Sequence, residues 1–234
     1  MNNLSYTIFP LGDSALTVDF GNLIDVAINE EVIRLSELLK AAQLRYVKDI
    51  VAAYSSLTVY YDVVDVLRSN PGSSAYDTMK NELSGLFLQK INFSQKPIRS
   101  LRIPVCFAKK YALDVNDICL LTNLSSDEVI EIFTGKKYKV YMVGFLPGFA
   151  YLGEVDDRIA VPRKQEPRAK IEPGYVGIAG KQTGIYPLTS PGGWQILGRT
   201  PLQFFDKEKE EPVLLRAGDE VEFFPITEDE FQNY

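Results

Sequence analysis

Gly174-Tyr-Val-Gly-Ile-Ala-Gly-Lys-Gln-Thr-Gly-Ile-Tyr-Pro-Leu-Thr-Ser-Pro-Gly-Gly-Trp-Gln-Ile-Leu-Gly198 is the stretch that decides the fold. Glycines and prolines interrupt short β-prone pieces: Val176 to Ala179, Ile185-Tyr186, and Trp194 to Leu197. Glycine permits positive φ and close backbone approach, whereas proline fixes φ and removes a donor. Short strands punctuated in this way predict a barrel or sandwich with shaped loops. The pattern is regional. Ten of the sixteen glycines and six of the thirteen prolines lie between Gly144 and Thr200. Ala217-Gly218-Asp219 predicts a last turn into a closing strand, Glu220 to Phe224.

Upstream of Gly144 the pattern changes. Leu101, Ile103, Val105 and Phe107 alternate, as on a strand with one buried face. Asp114 to Leu121 predicts a short helix, and Tyr138 to Val143 a strand. Between them, Ser125-Ser126-Asp127-Glu128 is a capping box before an apolar run. Residues 91–99 are polar and contain a proline, so a domain boundary is expected there, with domains at 1–92 and 93–234.

The first domain reads as strand-strand-helix-strand-strand-helix. Tyr6 to Phe9 and Ala15 to Phe20 form the first pair of strands. Asp25 caps a helix to about Gln43, whose Val32, Leu35, Leu38, Leu39 and Ala42 share one face. Asp49 to Tyr54 and Leu57 to Tyr61 are β-rich, and a second helix runs from about Ser74 to Lys90. This order predicts a small α+β domain with helices on one face of an antiparallel sheet.

Composition restricts the chemistry. The 234 residues contain no histidine, which excludes a Ser-His-Asp triad, a Cys-His pair and His-ligated metal. Cys106 and Cys119, the only cysteines, have no zinc or redox spacing, so no metal site is expected. The net charge of −6 argues against nucleic acid. Residues 93–200 nevertheless carry 15 basic and 10 acidic side chains, enough to attract a small anion. No apolar run reaches membrane-span length, and the N-terminus lacks signal-peptide features, so a cytoplasmic protein is expected.

Three segments carry candidate chemistry. Gly174 to Thr183 has five residues between Gly174 and Gly180, and Gln182 follows Lys181, so it is not a P-loop. A glycine-lined turn is the plain reading, although exposed backbone N–H groups there can hold an anion. In Pro162 to Lys170, two Pro-Arg pairs stiffen Arg163 and Arg168 for bidentate recognition of carboxylate or phosphate. An exposed basic loop is the plain alternative. Gly144 to Gly153 and Ser190-Pro191-Gly192-Gly193-Trp194 are apolar turns that either pack in the core or line a pocket. Neither places a nucleophile beside a base.

Taken in order, Val143 to Gly153, Pro162-Arg163 with Pro167-Arg168, Gly177 to Pro187, Ser190 to Trp194, and Gly198 to Pro201 resemble the B subunit of the prokaryotic ATP-dependent 5-oxoprolinase. That family is also called allophanate hydrolase subunit 1, or the KipI family. The match is dense over residues 138–224, where Gly218-Asp219, Val221 and Phe223 fit the family's ending. The resemblance implies a small α+β domain followed by a mainly-β, cyclophilin-like barrel. It also implies two partners, the C subunit, with a related barrel, and the A subunit. The three together cleave 5-oxo-L-proline to L-glutamate at the expense of ATP. Within the resemblance, Arg163, Arg168, Gly180, Lys181, Gln182 and Thr183 are the candidates for holding substrate or ATP. Pro147, Gly148, Phe149, Tyr151, Tyr186 and Ser190 through Trp194 are the candidates for a pocket or partner surface. The alternative within the family is a KipI-like inhibitor of a sensor histidine kinase. A prolyl isomerase rests on the fold alone. The chain departs from the family pattern twice. Phe107 to Val115 replaces a glycine-rich stretch and keeps only Asp114, and Phe133 stands where the family tends to carry histidine.

Overall fold

The computed structural model describes residues 4–88 and 98–234. The chain divides into two compact units, Met1–Pro97 and Ile98–Tyr234. The expected boundary at residues 92 and 93 lies outside the described residues, as do the last two residues of the expected second helix.

The first unit is built on four antiparallel strands: β1 (Thr7–Pro10), β2 (Ala15–Asp19), β3 (Val47–Ala52) and β4 (Ser56–Tyr61), in the order β1-β2-β4-β3. Helix α1 (Val26–Ala42) begins where the Asp25 carboxylate accepts the Ile28 N–H at 2.9 Å. Its Val32, Leu35, Leu38 and Leu39 are buried with Leu16, Val18, Leu57 and Val59 of the sheet. Helix α2 (Val63–Ser69) has no counterpart in the expected order. Its valines favour a strand, but Asp62 accepts the Asp65 N–H and starts a helix instead. Helix α3 (Ala75–Leu88) adds Met79 and Leu83 to the same core.

The second unit is a closed seven-stranded barrel. Its strands are β5 (Ser100–Cys106), β6 (Lys137–Val143), β7 (Ala150–Gly153), β9 (Tyr175–Ala179), β10 (Gln182–Ile185), β12 (Gln195–Arg199) and β13 (Glu220–Ile226). They follow one another around the barrel as β10-β7-β6-β13-β5-β12-β9, and β9 pairs with β10 to close it. β5 and β13 run parallel through a continuous register from Ser100↔Glu220 to Cys106↔Ile226. β8 (Arg168–Ile171) and β11 (Ser190–Gly192) form a separate two-stranded sheet.

Helices α4 (Val115–Thr122) and α5 (Ser126–Thr134) lie between β5 and β6 in sequence, and α6 (Glu228–Gln232) follows β13. The expected capping box starts α5: Ser125 Oγ accepts the Glu128 N–H, and the Glu128 carboxylate accepts the Ser125 N–H. Phe133 comes from α5 into the barrel core, stacked on Phe223 at 4.9 Å and fully buried. Position 133 therefore holds an apolar packing residue. β5 does not show the expected single buried face. Pro104 and Cys106 are buried along with Ile103 and Val105, since both sides of its second half are covered.

Candidate functional site

The site grows from one aromatic hub. Phe149 begins the chain's return into β7 and is 2% exposed. Its ring meets Tyr151 at 4.8 Å, Tyr186 at 5.4 Å and Trp194 at 5.6 Å, all edge to face. Gly148 shapes the turn that delivers it. That residue has φ +83°, and a Cβ there would lie 2.8 Å from the Phe204 carbonyl oxygen. Gly184, opposite Tyr151 in the β7–β10 ladder, leaves room for the Phe149 and Trp194 rings.

These four rings line a cavity of about 340 Å³. Pro191, Gly192 and Gly193 line it as well. Pro167, which lies against Gly193, and Arg163 complete the lining. Phe145 stands at the mouth, 65% exposed, with a positive φ of 71° that non-glycine residues seldom adopt. The Arg163 guanidinium lies over the Trp194 ring, 5.8 Å from its centroid. Burial pushes the Tyr186 phenol up to about 12, against an opposing pull from the Trp194 backbone and Arg163. Tyr186 therefore stays protonated at neutral pH and can donate a hydrogen bond. Arg163 is exposed and supplies positive charge at the opening.

The structure separates the two arginines that the sequence pairs. Arg168 is not among the lining residues and pairs instead with Asp114, with Nη1 to Oδ2 at 2.8 Å and Nη2 to Oδ1 at 2.6 Å. Lys164 Nζ donates to the same carboxylate at 2.8 Å, and the Ile196 N–H donates to it at 2.7 Å. Asp114 is 1% exposed. Burial alone would raise its carboxyl, but the bonds from Arg168, Ile196 and Lys164 outweigh that and hold it below the ordinary carboxylate range. Asp114 is not among the site residues expected from the sequence.

Gly180 and Lys181 form the two-residue turn of the β9–β10 hairpin, at the opposite end of β10 from Tyr186. Gly180 has φ +59° and its N–H bonds the Val161 carbonyl at 2.7 Å. Lys181 pairs with Asp157 at 2.8 Å. Gln182 and Thr183 are in β10 itself, and the buried Thr183 hydroxyl donates to the Gly177 carbonyl at 3.0 Å. None of these four lines the cavity. Pro147 is exposed on the β6–β7 loop and Ser190 is buried in β11, beside the cavity wall rather than on it. Phe145 and Pro167, absent from the expected set, do line it. Both sit within segments singled out from the sequence, so their composition was the available signal. Among the described residues no group of three or more His, Cys, Asp or Glu side chains is arranged to hold a metal.

Residues 6–215 match the carboxyltransferase domain family, subdomain C and D. The chain belongs to that family. Within it, this carboxyltransferase-domain chain is 39% identical to the 5-oxoprolinase B subunit of Bacillus subtilis (strain 168), over 98% of its own length and 96% of the relative's. Against the 5-oxoprolinase B subunit of Escherichia coli O157:H7 the identity is 34%, over 93% and 95%. These similarities agree with the family read from the Gly, Pro and aromatic clusters. The crystal structure of TTHA0988 superposes with a TM-score of 0.77 at 32% identity, covering 91% of this carboxyltransferase-domain chain. The chain spans 40% of TTHA0988's length. Among its described residues, no helix is long and apolar enough to cross a membrane.

Proposed function

We propose that this chain is the B subunit of a multi-protein 5-oxoprolinase, which acts with the partner A and C subunits to convert 5-oxo-L-proline to L-glutamate with hydrolysis of ATP. The observation that carries this reading is similarity along nearly the whole chain to proteins named as the B subunit of 5-oxoprolinase, at 39% identity for the Bacillus subtilis relative. The cavity's chemistry suits the substrate. A 5-oxoproline molecule is a flat five-membered lactam with one carboxylate. Arg163 can pair with the carboxylate, and the Tyr151 and Trp194 rings offer apolar faces to the lactam. The protonated Tyr186 hydroxyl is a donor suited to the lactam carbonyl.

The same cavity holds no histidine, no thiol and no carboxylate among its lining residues. In this reading the chain binds and orients the ring, and the proton transfers and ATP chemistry belong to the assembled complex. Mixing the purified chain with the A and C subunits is expected to give glutamate release that depends on ATP and on all three proteins. No release with folded partners would overturn the proposal.

A further inference from the structure

Arg163 is exposed and long, yet it sits over Trp194. The segment that carries it, 162–168, is tied down at four points. The Pro162 carbonyl accepts from Gln195 Nε2 at 3.3 Å. The Lys164 N–H donates to the Gly193 carbonyl at 2.7 Å. Arg168 pairs with Gly192 across the small β8–β11 sheet. The fourth tie is ionic: Lys164 and Arg168, on either side of the loop, both donate to Asp114. Asp114 is itself fixed to the strand that follows Trp194, since its carboxylate accepts the Ile196 N–H and its own N–H bonds the Ile196 carbonyl at 3.0 Å.

We propose that Asp114 is a positioning residue: by holding Lys164 and Arg168 it fixes the loop between them, and so places Arg163 over Trp194 at the mouth of the cavity. Arg168 is then a strut and not a ligand for substrate. Bidentate carboxylate–guanidinium pairs fix orientation as well as distance, and a buried one resists competition from water. Removing one partner leaves the other charges unmatched. The loop's other three ties are single hydrogen bonds or one register pair, which set its path but not the direction of its charged side chains.

Trp194 is the only tryptophan in the chain, so its emission reports the surroundings of that ring, the Arg163 guanidinium among them, and Arg163→Ala calibrates that part of the signal. The role in substrate binding rests on the proposed function, whereas the positioning does not. The experiment compares the emission of Arg163→Ala, Asp114→Asn and the double variant in the isolated chain, with thermal melts to confirm folding. Asp114→Asn is expected to move the emission to that of Arg163→Ala, and the double variant to add nothing. A folded Asp114→Asn protein with unchanged emission would overturn the positioning. Should Asp114→Asn fail to fold, Lys164→Met removes one of the two cations on Asp114 and is expected to give a partial change in the same direction; no change there is equally fatal. In the reconstituted three-protein mixture Asp114→Asn is expected to raise KM for 5-oxoproline about tenfold with kcat near wild type, the loss of one charge-assisted contact. An emission change without any KM change supports the positioning and removes the substrate reading of the cavity.

Discussion

Asp114 and Arg168 meet through two parallel hydrogen bonds, 54 residues apart in sequence and with the carboxylate 1% exposed. The pair gives the cavity's outer loop a fixed anchor outside the cavity. Arg163, five residues before Arg168, is thereby left with its charge available.

That charge should matter for affinity more than for turnover. Arg163→Ala in the reconstituted complex is expected to raise KM for 5-oxoproline about tenfold or more while leaving kcat within a factor of about three. Arg163→Lys should recover part of the loss, since it keeps the charge but not the planar fork. Steady-state kinetics with ATP saturating would decide it. Unchanged KM in both variants would remove Arg163 from substrate binding.

The ionic cluster should make the loop sensitive to pH at both extremes. Asp114 titrates below its ordinary value, so its contribution is complete above about pH 5 and is lost as pH falls through the folded value. The hydrogen bond that the Lys164 ammonium donates to Asp114 holds it above its ordinary value, so its contribution is present below about pH 10 and lost as pH rises through the folded value. Trp194 emission is expected to be flat through the middle range and to change in strong acid before the far-ultraviolet circular dichroism does. A flat trace down to global unfolding would count against a separate loop transition.

Phe133 should behave as a core residue. It is fully buried, 4.9 Å from Phe223 and 5.3 Å from Tyr138, whose hydroxyl donates to the Phe133 carbonyl. Phe133→Ala is expected to cost about 3–5 kcal/mol in urea denaturation, from lost burial and the remaining cavity. A cost under about 1 kcal/mol would show that the barrel core is not packed around this ring.

Gly148 should not tolerate a side chain. Gly148→Ala combines a positive φ with a Cβ only 2.8 Å from a backbone oxygen, and is expected to lower stability by more than about 1 kcal/mol. Because Phe149 follows directly, the near-ultraviolet dichroism of the aromatic hub should weaken as well. By contrast, Ser125→Ala, at the exposed α5 cap, should cost about 1 kcal/mol and leave that signal alone.

Features set by near neighbours were legible in the sequence. The α1 apolar face, the Ser125 capping box and the glycine turn at Gly180 all depend on residues a few positions away, and each formed as expected. β7, β8 and β11 were harder. They are three or four residues long, too short for alternation to show, and two of them exist only because they pair with each other. The aromatic cavity was legible as composition, since Phe149, Tyr151, Tyr186 and Trp194 all come from the segments first singled out. The division of labour between Arg163 and Arg168 was not. Two Pro-Arg pairs look alike locally, and only a carboxylate 54 positions away distinguishes them.

The parallel pairing of β5 with β13 has a consequence for how the chain is made. Ser100 and Glu220 are direct partners, as are residues throughout both strands, at separations of about 120 positions. A growing polypeptide that has emerged from the ribosome as far as β12 holds an unmatched edge on β5, with Ile103 and Val105 lacking their partners Phe223 and Pro225. Closure must await synthesis of residues 220–226. Contacts of such long range form slowly, so this interval is when the half-built barrel is most exposed to self-association and to chaperone capture.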